Sequence, residues 1–305
     1  MKVRSIRRSI ISIFLAIVLM STCCLTAFAA IPLPIRAYTS SYDETNPDTM
    51  ESTITYSSDE KFLSIQGDTW IIDDSLLSSL IDYSKIKQYP LLLTSFNERN
   101  IYYFFDSFRD HEPHIFACSD AILSGKITTI DYRYSDPKNS DENSENSNFE
   151  EIHFHVNNGK LVSYNIFTGD SDTVVNVEYK YDKNKIVQIK EQTGTNDPVY
   201  HYYTYDSDGR LVSGKYDWET WYYTFNVSYD KNGFVTQVKS KGPSDDAYLT
   251  TYKYKNGTLS RLTTTEIASS INAKDRSKRT DEFRIENGKL TYWDDGVDFS
   301  VSFQY

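Results

Sequence analysis

Cysteine, glycine and proline are all scarce in this chain of 305 residues, which holds 3 Cys, 12 Gly and 8 Pro. Two of the cysteines, Cys23 and Cys24, fall in an N-terminal segment that has the form of an export signal, which leaves Cys118 alone. A single cysteine excludes an intramolecular disulfide framework, so packing must hold the fold. Basic residues are also in deficit, with 32 Lys and Arg against 43 Asp and Glu and a formal charge of −11. Such a balance argues against non-specific binding to nucleic acid or anionic surfaces. There is no Gly-x-Ser-x-Gly and no glycine-rich phosphate loop, so two common routes to nucleophilic and phosphoryl chemistry have no sequence support. Aromatics are abundant, with 25 Tyr, 16 Phe and 4 Trp to build a core.

The first residues read MKVRSIRRSIISIFLAIVLMSTCCLTAFAA. Lys2, Arg4, Arg7 and Arg8 form a basic region, Ile10 to Leu25 an apolar one, and Ala27-Phe28-Ala29 a small-x-small cleavage site, the three parts of a secretory signal. Removal of 1–29 takes the four basic residues with it and moves the formal charge to −15. An uncleaved membrane anchor is the competing reading of the same apolar run. The expected location is outside the cell or on its surface, and export without disulfides fits a bacterium. No membrane span is expected after signal cleavage.

The C-terminal half repeats itself. HVNNGKL at 155, YDKNKIV at 181, YDSDGRL at 205, YDKNGFV at 229, YKNGTL at 254 and IENGKL at 285 align on Gly159, Lys185, Gly209, Gly233, Gly257 and Gly288. Asp first, Asn or Asp third and Gly fourth is the pattern of a type I turn closed by a residue with positive φ, a three-residue hairpin loop. Asp206 and Asp230 open two such turns, with Gly209 and Gly233 in the positive-φ slot. Lys185 breaks the pattern and predicts a strained or differently shaped turn. Asn287-Gly288 predicts a two-residue turn with Glu286 and Lys289 facing across its mouth. Period-two alternation flanks these turns: Tyr223, Phe225, Val227 and Tyr229 alternate with polar residues, as do Val175, Val177, Tyr179 and Tyr181. The fold expected is mainly β, an antiparallel meander of consecutive hairpins, with one short N-terminal helix.

These units resemble the YD-repeat, or rearrangement-hotspot repeat, family, whose consensus runs roughly Tyr-x-Tyr-Asp-x-x-Gly-Arg-Leu. YTYDSDGRL at Tyr203 to Leu211 fits it throughout, YKYDKNKIV at Tyr179 departs at the glycine and its two successors, and the units near Gly159 and Gly288 fit only at the turn. The resemblance spans about residues 150–305 and implies a secreted or surface β-repeat module, in a family whose members often carry toxin domains or bind surface carbohydrate. It implies architecture; a cargo role does not carry over.

Ahead of the repeats, 30–50 has the polar composition of a disordered linker. Residues 51–134 are expected to be β-rich, with a short helix over 76–81 capped by Asp74 or Ser75, a hairpin of PLLLTSF with IYYFFDSF, and a strand in KITTIDYRY. The stretch 135–149 has almost nothing to bury and reads as a disordered loop, which either separates two domains or joins 126–134 to 150–156 as neighbouring strands, the second being the favoured expectation.

Candidate sites follow from residue chemistry. His153 and His155 share one face of a strand beside Glu150 and Glu151, a spacing that suits a metal but lacks a placed third ligand. HEPH at 111–114 reads as a loop, because Pro113 and the three-residue offset spoil the helical zinc pattern. DSDG and DKNG lack the ligands and closing Glu of a calcium loop. Cys118 has only His114 near it, and no carboxylate pair is singled out by spacing. No catalytic residue, metal or cofactor is therefore assigned, and an enzyme is not expected. The strongest surface candidate is aromatic: Tyr200 and Tyr202 fall on the face opposite Tyr203 and Tyr205, with Trp218, Trp221 and Tyr222 close by. Either a second protein layer covers these rings, or they form an exposed platform for stacking on a sugar or partner. The expected function is a non-catalytic binding module, with extracellular carbohydrate or a surface protein as partner and wall polysaccharide as the alternative ligand. An outer-membrane β-barrel competes on strand length and aromatic content, but Lys239, Lys241 and Arg261 sit badly on a lipid face.

Overall fold

In the computed structural model, the described residues are 36–41, 49–57, 61–67, 80–94, 112–134, 149–168, 171–218, 221–242, 247–268, 277–294, 296 and 299–305. They form one seventeen-stranded sheet. Its first strands are β1 (Arg36–Ser41), β2 (Thr49–Ser57), β3 (Phe62–Gly67), β4 (Thr129–Tyr134) and β5 (Phe149–Asn157). Next come β6 (Lys160–Thr168), β7 (Ser171–Asp182), β8 (Lys185–Thr193), β9 (Val199–Tyr205), β10 (Leu211–Trp218) and β11 (Trp221–Tyr229). The last are β12 (Val235–Lys241), β13 (Ala247–Lys255), β14 (Thr258–Ala268), β15 (Lys278–Glu286), β16 (Lys289–Asp294) and β17 (Phe299–Gln304).

From β4 to β17 each strand pairs with the next, antiparallel throughout. The meander of hairpins is the fold. β1 lies between β17 and β2, so every strand has two partners and the order of pairing returns to its start. One pairing, β3 with β4, is parallel. Residues 36–41 and 49–50, read as linker from their composition, thus belong to strands. Backbone ladders on both sides decide this, and they require no apolar side chain.

Along the strands whose side chains are described, one face turns inward. Ile152, Tyr164, Ile166, Val177, Ile189, Tyr223, Phe225, Leu262, Trp293 and Val301 are all buried, and between them come exposed His155, Lys180, Asn226, Lys239, Lys253 and Arg261. The inner face packs on helical segments: a 3-10 helix at Tyr83–Gln88, helical residues 90–94, and the short helices α1 (Glu112–Phe116) and α2 (Asp120–Leu123). Phe116 meets the rings of Phe154 and Tyr164 edge-on, and Leu92, Ile115 and Ile122 are sealed. An apolar inside with a charged outside is the reverse of a lipid-embedded barrel, whose outer band is apolar.

Two local expectations change here. PLLLTSF begins as helix, because Pro90 suits a first helical position and the three leucines that follow are buried within the structure, so no face of them needs the alternation of a strand. Residues 112–114 of HEPH are in α1, with Pro113 in the first turn, where its missing N–H costs nothing. The predicted helix at 76–81 falls mainly outside the described residues, as does IYYFFDSF; Leu80 and Ile81 are buried but not helical.

At four places the repeat motif joins a strand to the hairpin before it. Tyr181 donates its hydroxyl to the Leu161 carbonyl, Tyr205 to Ile186, Tyr229 to Leu211 and Tyr305 to Leu290, each at 2.8 Å. The residue preceding each accepting carbonyl is a cation, and it stands over the same ring: Lys160 at 5.2 Å, Lys185 at 5.2 Å, Arg210 at 5.6 Å and Lys289 at 4.7 Å. Tyr of one unit thus grips the Lys/Arg-Leu, or in one case Lys185-Ile186, of its predecessor. In the unit near Gly233 the cation is replaced by Phe234, which packs on Tyr254 with ring centroids 4.7 Å apart, and there the buried Tyr254 hydroxyl has no hydrogen-bond partner among the described residues.

The turns divide into two kinds. At Gly209 and Gly233 (φ 82° and 80°), Asp206 and Asp230 close a longer loop. The Asp206 carboxylate accepts the Arg210 N–H at 2.8 Å, and that of Asp230 accepts the N–H groups of Asn232 and Phe234 at 2.8 and 2.9 Å. At Gly159, Gly257 and Gly288 the turn is two residues long, with Asn158, Asn256 and Asn287 also at positive φ. The three-residue expectation therefore gives way at Gly159 and Gly257, where Asn supplies the second left-handed residue. In the odd unit Asp182 pairs with Lys185 across a two-residue turn, and Lys183 takes φ 57°. Lys185 occupies the cation position over Tyr205, one step beyond the glycine slot.

Candidate functional site

The outward face of β9 to β11 carries the aromatic cluster. Strand alternation turns His201 and Tyr203 inward and leaves Tyr200 and Tyr202 outward. Their rings lie 6.0 Å apart at an interplanar angle of 23°. Tyr202 is 41% exposed and Tyr222 is 45% exposed. No second layer among the described residues covers them, because the helical segments pack on the other face. In register, Tyr200 faces Asp217 and Tyr202 faces Lys215, while Asp217 faces Tyr222 on the other side. Lys215 Nζ donates to Asp217 Oδ2 at 2.7 Å and lies 6.0 Å from the Tyr222 ring centre. An ion pair is thus flanked on both sides by tyrosines, which span two strand spacings, about 10 Å. Lys190 and Gln188 border the face as the partners of Tyr200 and Tyr202 on β8.

This arrangement offers flat apolar rings beside several hydrogen-bonding groups: phenol hydroxyls, an ammonium, a carboxylate and an amide. Lys215 and Asp217 were not singled out from the sequence. Their position two apart around inward Tyr216 is the signal that marks them as outward neighbours of the tyrosines. Trp218 and Trp221 face each other across the β10–β11 ladder, but their side chains lie outside the described set. A second outward ring, Phe167, is 38% exposed and meets His153 edge-on at 5.1 Å.

The remaining candidates are placed as follows. His153 Nε2 lies 2.7 Å from Glu151 Oε1, and His155 is exposed on the same face; no group of metal-binding side chains is found among the described residues. His114 is buried on the inner side, where its Nε2 is 2.6 Å from the Tyr203 hydroxyl. Burial, and next the neighbouring His201, push its pKa down to about 3. His201 Nε2 lies 2.6 Å from Glu191 Oε1, and burial raises the Glu191 pKa to about 8. Cys118 is sealed beside this core, with burial raising its pKa to about 12, so its thiol stays protonated at neutral pH and is a poor nucleophile.

No family model matches the chain, and no curated protein matches it. Among solved structures, a porin-like protein from Bacteroides uniformis is similar over 90% of this chain and 98% of its own, at 8% sequence identity and a TM-score of 0.36.

Proposed function

We propose that this is an exported, surface-associated β-repeat protein that binds extracellular polysaccharide through Tyr200, Tyr202 and Tyr222, without catalysing a reaction. The observation that carries this reading is the exposure of Tyr202 and Tyr222 on either side of the Lys215–Asp217 pair. Rings left in water on a sheet face contribute little to folding, whereas against the C–H face of a sugar they recover apolar burial with little entropy to lose. Lys215 and Asp217 supply a donor and an acceptor for hydroxyls at the ring edge. The signal segment and the YD-like units support the surface setting.

The test is a glycan array followed by titration of the best ligand. Tyr202→Ala with Tyr222→Ala is expected to lower affinity at least tenfold, about 1.4 kcal/mol, while the melting temperature moves by no more than about 2 °C. Absence of any glycan ligand, or a ligand held equally by the double variant, removes the proposal.

A further inference from the structure

The chain is acidic overall, but its charge is unevenly placed. All the repeat turns lie at one end of the ring of strands, together with Lys61 before β3 and the 3-10 helix, whose Tyr83 N–H donates to the Gly288 carbonyl at 2.9 Å. At this end Lys61, Lys87, Lys183, Lys231 and Lys255 are exposed. A second set is steadied on aromatic rings: Lys160, Lys185 and Lys289 over the repeat tyrosines, and Lys126 over Tyr56 at 5.3 Å. The ring fixes the position of each ammonium and leaves its charge intact.

The acids of this end are mostly engaged within it. Asp206 and Asp208 pair with Arg210 at 2.8 and 3.4 Å, and Asp82 and Asp120 pair with Lys85. Asp230 accepts turn N–H groups; Asp182 and Glu286 complete the acids among the described residues there. The strand order adds an independent observation. β1 begins at Arg36 opposite Gln304, the last residue of β17, so the polypeptide enters the sheet at this basic end. The apolar run Ile10 to Leu25 precedes Arg36 by about ten residues in sequence.

We propose that the turn end is a docking surface for anionic phospholipid headgroups. Its lysines are distributed around the whole end, which suits a planar field of phosphates; a linear polymer would engage only one arc. The polypeptide enters its first strand at this end, and the apolar segment Ile10 to Leu25 lies a short way upstream in sequence. The acidic remainder of the molecule is repelled by the same surface, and this fixes the orientation. Each lysine near an anionic membrane is worth about fivefold in partitioning.

The chain from Ala30 onward, which carries every described strand, is mixed with phosphatidylcholine vesicles with or without phosphatidylglycerol and sedimented. It is expected to sediment with the anionic vesicles at low salt, to be released as salt rises, and to ignore pure phosphatidylcholine. Lys183→Gln, Lys231→Gln and Lys255→Gln together are expected to lower partitioning about a hundredfold, and these exposed turn side chains carry no described packing to lose. Lys239→Gln with Lys278→Gln, on the outer face and at the opposite end, is expected to change it less than threefold, as is Tyr202→Ala with Tyr222→Ala, which separates this surface from the glycan site. Equal binding to both vesicle types, or equal loss in the Lys239/Lys278 control, overturns the proposal. Salt-sensitive retention on an acidic polysaccharide without vesicle sedimentation overturns it too, and assigns the surface to a polymer.

Discussion

Replacing tyrosine by phenylalanine along the repeats tests whether the motif is a clamp between hairpins. In Tyr181→Phe, Tyr205→Phe and Tyr229→Phe the ring and its overlying cation remain, and one 2.8 Å hydrogen bond to a carbonyl of the preceding hairpin is removed. Each bond contributes about 1 kcal/mol net, and successive clamps are one hairpin, about 10 Å, apart, far enough to be nearly additive. The triple variant should therefore lose about 3 kcal/mol. Tyr254 supplies the internal control, because its hydroxyl is buried without a partner among the described residues. Tyr254→Phe removes an unsatisfied polar group and should be neutral or stabilising by up to about 1 kcal/mol. Urea denaturation followed by tyrosine fluorescence and circular dichroism measures the three single variants, the triple variant and Tyr254→Phe. The clamp is refuted if Tyr254→Phe costs as much as Tyr205→Phe, or if the triple variant loses less than about 1 kcal/mol.

Other expectations follow from backbone geometry and burial. Lys183→Gly should stabilise by about 0.5 to 1 kcal/mol, since a non-glycine residue there holds φ 57°, and Gly233→Ala should cost about 1 kcal/mol from its φ alone, because the nearest atom to the added Cβ is 3.8 Å away; thermal melts read both. His114 is neutral when folded, with its pKa near 3 against 6.5 ordinarily, so the stability it contributes is full above pH 6.5 and is lost as pH falls from there toward 3; His114→Gln should flatten that acid limb. Glu191 has the opposite sign: its raised pKa of about 8 gives stability that is full below about pH 4.5 and lost as pH rises through 8, and Glu191→Gln should flatten the alkaline limb. Cys118 should resist a thiol reagent in the native protein and react once urea unfolds it, which an absorbance assay for released thiolate follows.

The hairpin meander was legible because period-two alternation and Asp-x-x-Gly or Asn-Gly turns are local signals that survive without tertiary context. Aligning turns by their glycines misplaced the unit at Lys185, because that unit has no glycine and its cation slid into the empty slot. The clamp from Tyr205 to Ile186 was hidden for another reason: it joins residues 19 apart, and nothing local says which carbonyl a tyrosine will reach. The helical interior was the least readable part. Leu91, Leu92 and Leu93 are buried, so polarity does not alternate along them and a helix cannot be told from a strand by period. Tyr200 and Tyr202 could be put on one face from spacing alone, but whether that face was covered depended on the side taken by the helical segments.

The lone parallel pairing of β3 with β4 has a consequence for how such a chain can change length. In a ring of strands that alternate in direction, an odd count forces one pair of neighbours to run the same way. The chain must then travel from the end of β3 back to the start of β4, and Ile81, Leu92 and Phe116, all buried on the inner face, lie along that return. Parity therefore ties the interior to the wall. Gain or loss of a complete hairpin, two strands at a time, keeps the parallel pair and its return path. A single added or deleted strand would leave two parallel neighbours where a hairpin now stands, or none at all, and the segment that fills the interior would no longer have a path through it.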